Sequence, residues 1–311
     1  MKARGDGARV AAVALAPRQA ARHDMSERTL AAILLAPAII LGLALVIYPV
    51  ARLLFLSVHR YRLTAPNIQP FVGLHNYVSM FTDPRFLDAS RVTVIYVAGS
   101  VVFPLIIGVA MALLVNKTFR GRWVARLAVI LPWAMPAALA AGTWAWILDT
   151  TYGVLNETLM SLHLISSQIP WLGAAHLAMF SLILVTTWKT ASFVGLMVLA
   201  GLQSIPTELY DAAAVDGAGG IHAFWRVTLP LLRPYIMVAL IFRTIVAIQV
   251  FDIPYALTQG GPGVSTEPLS MYVYEVTLNN LNFGYGASLA VFMAVISVVL
   301  TIFYMRALKQ G

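Results

Sequence analysis

The sequence predicts an all-α, polytopic membrane protein with six transmembrane helices, on three observations. Hydrophobic residues make up 60% of the 311 residues, whereas Asp, Glu, Lys and Arg together make up 11%. Soluble domains carry roughly 25% charge, so these charges are too few to cover a water-facing surface of this size. The apolar residues collect into runs long enough to cross a bilayer, which takes about 20 residues. Lysine and arginine concentrate in alternate loops. A β-barrel is excluded, because its strands would give short alternating segments.

Taken in order, residues 1–27 are rich in alanine and arginine and read as a flexible cytoplasmic tail. The first apolar run, 30–58, is too long for a cleaved signal peptide and reads as a retained anchor. Pro37 and Pro49 lie inside it and predict a kink or a shorter helix. Further spans are expected at 92–115, 124–148, 174–202, 235–257 and 287–308. The segment 59–90 holds Phe71, Tyr77, Phe81 and Phe86 among turn formers. It is expected to lie on the external membrane face with a short interfacial helix at 74–80. Trp133, Trp144, Trp146 and Trp171 fall at or near span ends, as aromatic belts do.

Orientation follows from the basic loops. Lys2, Arg4, Arg9, Arg18, Arg22 and Arg28 precede span one. Lys117, Arg120, Arg122 and Arg126 lie between or beside spans two and three; Arg226 and Arg233 lie between four and five; Arg306 and Lys309 close the chain. The opposite loops, 149–173 and 258–286, contain no lysine or arginine. Arg60, Arg62, Arg85 and Arg91 dissent by flanking the first outside segment. The balance places both termini in the cytoplasm of a bacterial inner membrane. It also explains the net charge of +8 without nucleic acid. The absence of cysteine excludes disulfides, thiolate metal sites and thiol catalysis.

The most informative stretch is the cytoplasmic loop 203–234. Thr207 is placed to cap a helix starting at Glu208, which Asp211, Ala212, Ala213 and Ala214 continue. Asp216 and Gly217 stop it, and Gly219 and Gly220 keep the backbone loose. A second short helix is expected from 222 or 223 toward 228, with Pro230 and Pro234 shaping the approach to span five. The small residues at 212–214 let another surface approach closely, and Phe224 and Trp225 offer bulky anchors. Gly217 is expected to stand where a side chain would clash or restrict the turn.

This loop resembles the coupling loop of ABC importer permeases, whose pattern is Glu-Ala-Ala, three residues, Gly, nine residues, Ile-x-Leu-Pro. Here Asp211, Ala212, Ala213 and Gly217 take the first places, and Val227, Leu229 and Pro230 the last. Asp211 for glutamate and Val227 for isoleucine keep the chemical type. Other stretches are similar to the carbohydrate branch, maltose permease-like first subunits. They are Ala36-Pro37, Tyr48-Pro49, the run Phe71 to Tyr77, the run Thr151 to Asn156, and Leu257-Thr-Gln-Gly-Gly-Pro-Gly263 followed by Ser265-Thr266. The resemblance covers nearly all of 28–308. It is nearer to six-span sugar permeases, the mycobacterial trehalose permease among them, than to the enterobacterial maltose permease with its extra spans.

The resemblance implies a type I ABC importer transmembrane domain at 28–308, half of a translocation pore. It implies as partners a second related permease subunit, two copies of a cytoplasmic ATPase subunit, an extracytoplasmic sugar-binding protein or lipoprotein, and membrane lipid. The cargo it implies is a disaccharide such as trehalose, with glycerol phosphate, a polyol or another oligosaccharide as alternatives. Glu208, Asp211, Ala212, Ala213, Asp216, Gly217, Val227, Leu229 and Pro230 would carry the coupling. The chain itself is expected to bind no cofactor and to be no enzyme. It has no Gly-rich phosphate loop with lysine, so ATP and Mg would sit on the partner ATPases.

A sugar needs hydrogen bonds and an aromatic platform, which Asn156, Trp188, Gln249 and Asp252 offer as candidates for the substrate pathway. Lys189, Arg243 and Asp252 are ionisable groups in or near spans; they either face a cavity or stabilise packing. Three rival classes are weaker. A membrane enzyme would show paired carboxylates or a HExxH signature, and His163, His176 and Glu157 stand isolated. A scaffold would not need the coupling pattern. An ion-driven transporter would show inverted repeats.

Overall fold

The computed structural model describes residues 26–309, and helices dominate them. The only β pairing among the described residues is an isolated bridge between His59 and Phe71. Of the tail 1–27, all but Ser26 and Glu27 lie outside the described residues. The chain divides into two compact units between Ala51 and Arg52.

Ser26 opens helix α1, Glu27–Gly42, by accepting the Thr29 N–H at 3.2 Å. A π turn, Leu43–Ile47, joins it to α2, Tyr48–Ser57, and the run Arg28–Ser57 stays one 30-residue apolar helix. Pro49 does not shorten it. Tyr48 donates to Leu43 five residues back, and the wide turn makes room for a residue that has no N–H. A short helix stands where one was expected at 74–80: α3, His75–Met80. Span two begins earlier than its apolar run. Asp83 caps and Pro84 starts α4, Pro84–Asn116.

Span three is not one helix. It breaks into α5, Arg122–Ala134, and α6, Ala137–Ile147, bent by 98°. Pro136 forces Met135 into extended backbone, φ −69° and ψ 137°. After α7, Val154–Ser161, comes span four, α8, Ala175–Gln203. Helix α9, Glu208–Val215, follows. Then α10, Gly220–Ala223, a π turn, Phe224–Thr228, and α11, Leu229–Ile248, run together as one apolar helix, Gly220–Ile248. The separate short helix expected before span five is therefore its first turns. Pro230 again is accommodated by widening, with Leu229 donating to Phe224.

The far end of span five also differs from expectation. The helix stops at Ile248, and 252–257 form a separate helix, α12, Asp252–Leu257. Pro254 cannot continue a helix through residue 250, because it lacks the N–H and its ring meets that carbonyl. The freed Val250 carbonyl accepts from the Ser270 hydroxyl. The chain continues through α13, Leu269–Tyr274, a π turn, Glu275–Asn279, and span six, α14, Phe283–Lys309.

The central seam is α4 against α8. A Cβ on Gly108 would stand 2.6 Å from that of Val194, so only glycine permits this approach. At the end that carries α9, Ala112, Val115, Val194, Val198, Leu199 and Leu232 form a core, with Val129 of α5 against it. Toward the opposite end, Tyr96, Leu182, Val185 and Leu257 form a second core with Ala141 and Trp144 of α6. The bent pair thus runs from one end of the bundle to the other and counts as one crossing. With five unbroken apolar helices, that makes six.

Candidate functional site

The segment between α8 and α11 is built as a projecting helical elbow. Thr207 does not cap α9 with its side chain. Its backbone is already helical, φ −65° and ψ −29°, and only its carbonyl takes up the first turn. The other end closes in a Schellman arrangement, Ala218 N–H to Ala213 O at 2.8 Å and Gly217 N–H to Ala214 O at 3.1 Å. Gly217 supplies the left-handed residue this needs, φ +78°. No neighbouring atom lies within 4 Å of where its Cβ would stand, so the constraint is backbone strain and not the expected clash.

Tyr210 of α9 bonds the buried Thr228 across the elbow at 3.1 Å, fixing α9 against the π turn. Glu208, Asp211, Ala212, Asp216, Gly217 and Pro230 are exposed, while Ala213, Val227 and Leu229 are half-buried. The same surface exposes Val215 at 88%, Ile221 at 79% and Trp225 at 61%. Large apolar side chains with acidic groups beside them, held on a locked elbow, suit a protein groove better than water.

Lys189 and Arg243 both donate to backbone carbonyls, and Arg243 Nε is left buried without a partner among the described residues. Lys189 Nζ donates to the carbonyls of Trp133, at 3.1 Å, Pro132 and Met135, all freed by the break in span three. Arg243 is buried and donates Nη2 to Ser100 O at 2.9 Å. The four pathway candidates separate. Asn156 is buried; its amide nitrogen donates to Thr150 O and Ile169 O, and its oxygen accepts from Ile169 N and Trp171 Nε1. All its hydrogen-bonding capacity therefore goes to closing the loop after α6. Trp188 meets Trp144 edge to face, centroids 5.6 Å apart. Gln249 and Asp252 flank the break in span five and are exposed. Trp133 lies at the break in span three and stacks on Phe193, and the indole N–H of Trp171 donates to Asn156.

Two groupings escaped the sequence reading. Phe251, Tyr255 and Tyr274 form a ring cluster with centroids 5.1–5.8 Å apart; the i, i+4 spacing of the first two was the available signal. At the same end, Arg85 pairs with Glu267 at 3.1 Å, which answers one of the dissenting arginines. Burial pushes the Glu267 carboxyl up, and Arg85 offsets part of that. Asp83 accepts from the hydroxyls of Tyr272 and Tyr285 and from Arg85 N–H. Burial raises its pKa, but those hydrogen bonds outweigh burial and hold the carboxyl below its ordinary value. Burial, then Asp83, pushes the Tyr272 phenol up.

Residues 104–309 match the family described as binding-protein-dependent transport system inner membrane component. The chain belongs to this family. As in other members, it is an integral inner-membrane permease, and the matched region contains the whole elbow. It is 45% identical to the sulfoquinovosyl glycerol transport system permease protein SmoG of Agrobacterium fabrum, over 94% of each chain. It is 38% identical to the trehalose/maltose transport system permease protein MalF of Thermococcus litoralis, over 90% of this chain and 94% of that one. The mycobacterial likeness is to the trehalose transport system permease protein SugA of Mycobacterium tuberculosis, at 36% over 86% and 84%. In structure it is similar to a chain of a bacterial ABC transporter that imports the acidic polysaccharide alginate. The TM-score is 0.80 at 26% identity, covering 91% of this chain and 96% of that one.

Proposed function

We propose that this permease is one half of the pore of an ATP-driven importer for a small glycoside, either a disaccharide such as trehalose or a glycosyl glycerol. The carrying observation is the locked elbow, an exposed acidic and apolar surface on the coupling pattern Asp211-Ala212-Ala213…Gly217…Val227-x-Leu229-Pro230. In this reading 208–220 dock in a cleft of the cytoplasmic ATPase, and α9 passes its motion through Tyr210 and Thr228 to α11. Both termini and the elbow face the cytoplasm; 149–173 and 258–286 face outward. A second permease, two ATPase subunits and an external binding protein complete the machine. ATP and Mg reside on the ATPases, and no catalysis is assigned to this chain. Within the pathway, Trp188, Gln249 and Asp252 remain candidates for the sugar, and the amide of Asn156 is already committed. The cargo reading is supported by what three relatives are named for, sulfoquinovosyl glycerol, trehalose/maltose and trehalose.

Uptake of labelled trehalose, maltose and sulfoquinovosyl glycerol by cells with and without the gene tests the cargo, and Gly217→Val and Ala213→Trp test the coupling. Gly217→Val forces a β-branched residue into left-handed backbone, about 1–2 kcal/mol of strain, in an elbow outside the apolar crossings. Uptake of one glycoside should depend on the gene and fall to background in either variant, with permease abundance maintained. Gene-independent uptake of every glycoside would overturn the cargo. Normal uptake in both abundant variants would overturn the docking.

A further inference from the structure

We propose a second carbohydrate subsite at the end opposite α9, outside the span-five break, that receives one uncharged pyranose ring before it enters the pore; this rests on the glycoside reading above. A cavity of about 350 Å³ opens there, lined by Tyr255, Tyr274, Gln259, Glu275, Asn279 and the Arg85–Glu267 pair. That volume is at the small end of ligand pockets, about 300–1,000 Å³, and suits one or two sugar rings.

The chemistry of the lining is that of hydroxyl recognition. Tyr255 is 45% exposed, and its ring is braced from behind, stacked on Phe251 at 5.1 Å and 19° and edge-on to Tyr274 at 5.8 Å. A braced aromatic face offers a flat apolar platform for the C–H face of a pyranose with little left to immobilise. Around it stand groups that accept from and donate to hydroxyls. Glu275 already holds Asn279 by its amide at 2.5 Å, so carboxylate and amide are ordered as a pair. The side chain of Gln259 is exposed at the rim.

Charge selects among sugars. Arg85 is neutralised by Glu267, which leaves Glu275 as the free charge of the lining, so a neutral ring is preferred. Of the cargoes proposed above, the subsite therefore fits the trehalose class and disfavours the sulfonated glycoside. Position supplies the use. Asp252 and Tyr255 share a face of α12 at i, i+3, so the same short helix carries the platform and a pathway candidate beside Gln249. A ring released from Tyr255 has its next hydrogen-bonding partners one helical turn away.

The test is uptake of the transported glycoside by cells carrying the complete importer, with Tyr255→Ala, Tyr255→Phe, Glu275→Gln and Gln259→Ala. Loss of the platform should raise the half-saturating concentration about three- to tenfold, with the maximal rate near that of the wild type. Tyr255→Phe should restore it, and Glu275→Gln should raise it less. If Tyr255→Ala fails to accumulate, Glu275→Gln and Gln259→Ala decide the matter, since their changed atoms are polar and peripheral to the core. Wild-type half-saturation in every variant that accumulates would overturn the subsite while leaving the importer reading intact. A wild-type importer that moves no glycoside would overturn the cargo reading, and the subsite with it.

Discussion

Spans three and five are both broken by proline, yet the two breaks are closed by different chemistry. At Met135–Pro136 the freed carbonyls are collected by one cation, Lys189 Nζ reaching three of them from α8. At 249–251 the freed Val250 carbonyl is met by one neutral hydroxyl, that of Ser270. The first break bends the chain by 98° and frees several acceptors in the middle of an apolar bundle. The second lies near the far end of the bundle, where exposed Gln249 and Asp252 flank it. An ammonium carries three donors and a hydroxyl one. The size of the break therefore sets the donor it needs, and a charge in a span is here a backbone device.

Lys189→Met sharpens this most, because methionine keeps the length and removes every donor. Three carbonyls are left without partners, each at about 1–3 kcal/mol, so a loss of about 3 kcal/mol or more is expected after relaxation. The measurement is thermal unfolding of the detergent-solubilised complex, together with permease abundance in membranes. A melting temperature unchanged from the wild type would show that Lys189 is not what closes the break.

How much of this was legible in the sequence follows the same division. The first helix of the elbow and the glycine that ends it were legible, because they follow local rules: small residues, an acidic start, a glycine at positive φ. The Thr207 cap and the separate second helix were not. The number of crossings was legible from apolar runs. The breaks were not. Hydropathy is blind to a bend inside an apolar run, and Pro136 and Pro254 look like Pro37, Pro104, Pro132 and Pro234, which stay inside helices. What separates them is whether a partner elsewhere satisfies the freed carbonyls, and Lys189 and Ser270 lie more than a dozen residues from the atoms they serve. Asn156 misled for the same reason. Its type suits a sugar, and only the fold reveals that Trp171 and Ile169 occupy it.

Ser270→Ala tests the smaller break. One neutral hydrogen bond is lost, worth about 1 kcal/mol, so the melting shift should be clearly less than that of Lys189→Met. Equal shifts would erase the distinction between the two closures and make both breaks equivalent packing defects.

Asp83 extends the comparison beyond the apolar zone, to a carboxylate held by donors at the bundle's end. Its pKa is below its ordinary value in the folded chain, because hydrogen bonds from Tyr272, Tyr285 and the Arg85 and Phe86 backbone outweigh the burial that pushes it up. The sign follows from linkage. A depressed carboxyl stabilises the folded state at pH above its unfolded pKa, and that contribution is lost as pH falls through the folded value. Asp83 is half-buried at the edge of an open cavity, so screening keeps the contribution to no more than about 1 kcal/mol. Asp83→Asn should therefore lower the melting temperature slightly at pH 7, and the gap to the wild type should narrow below about pH 4. Asparagine keeps one acceptor oxygen of the two, so the variant loses hydrogen bonds as well as the charge. The part of the gap that changes with pH reports the ionisation. A gap that stays constant from pH 7 to pH 3 would assign the effect to shape and not to ionisation. The carboxylate would then join Asn156 as a neutral tie between loops.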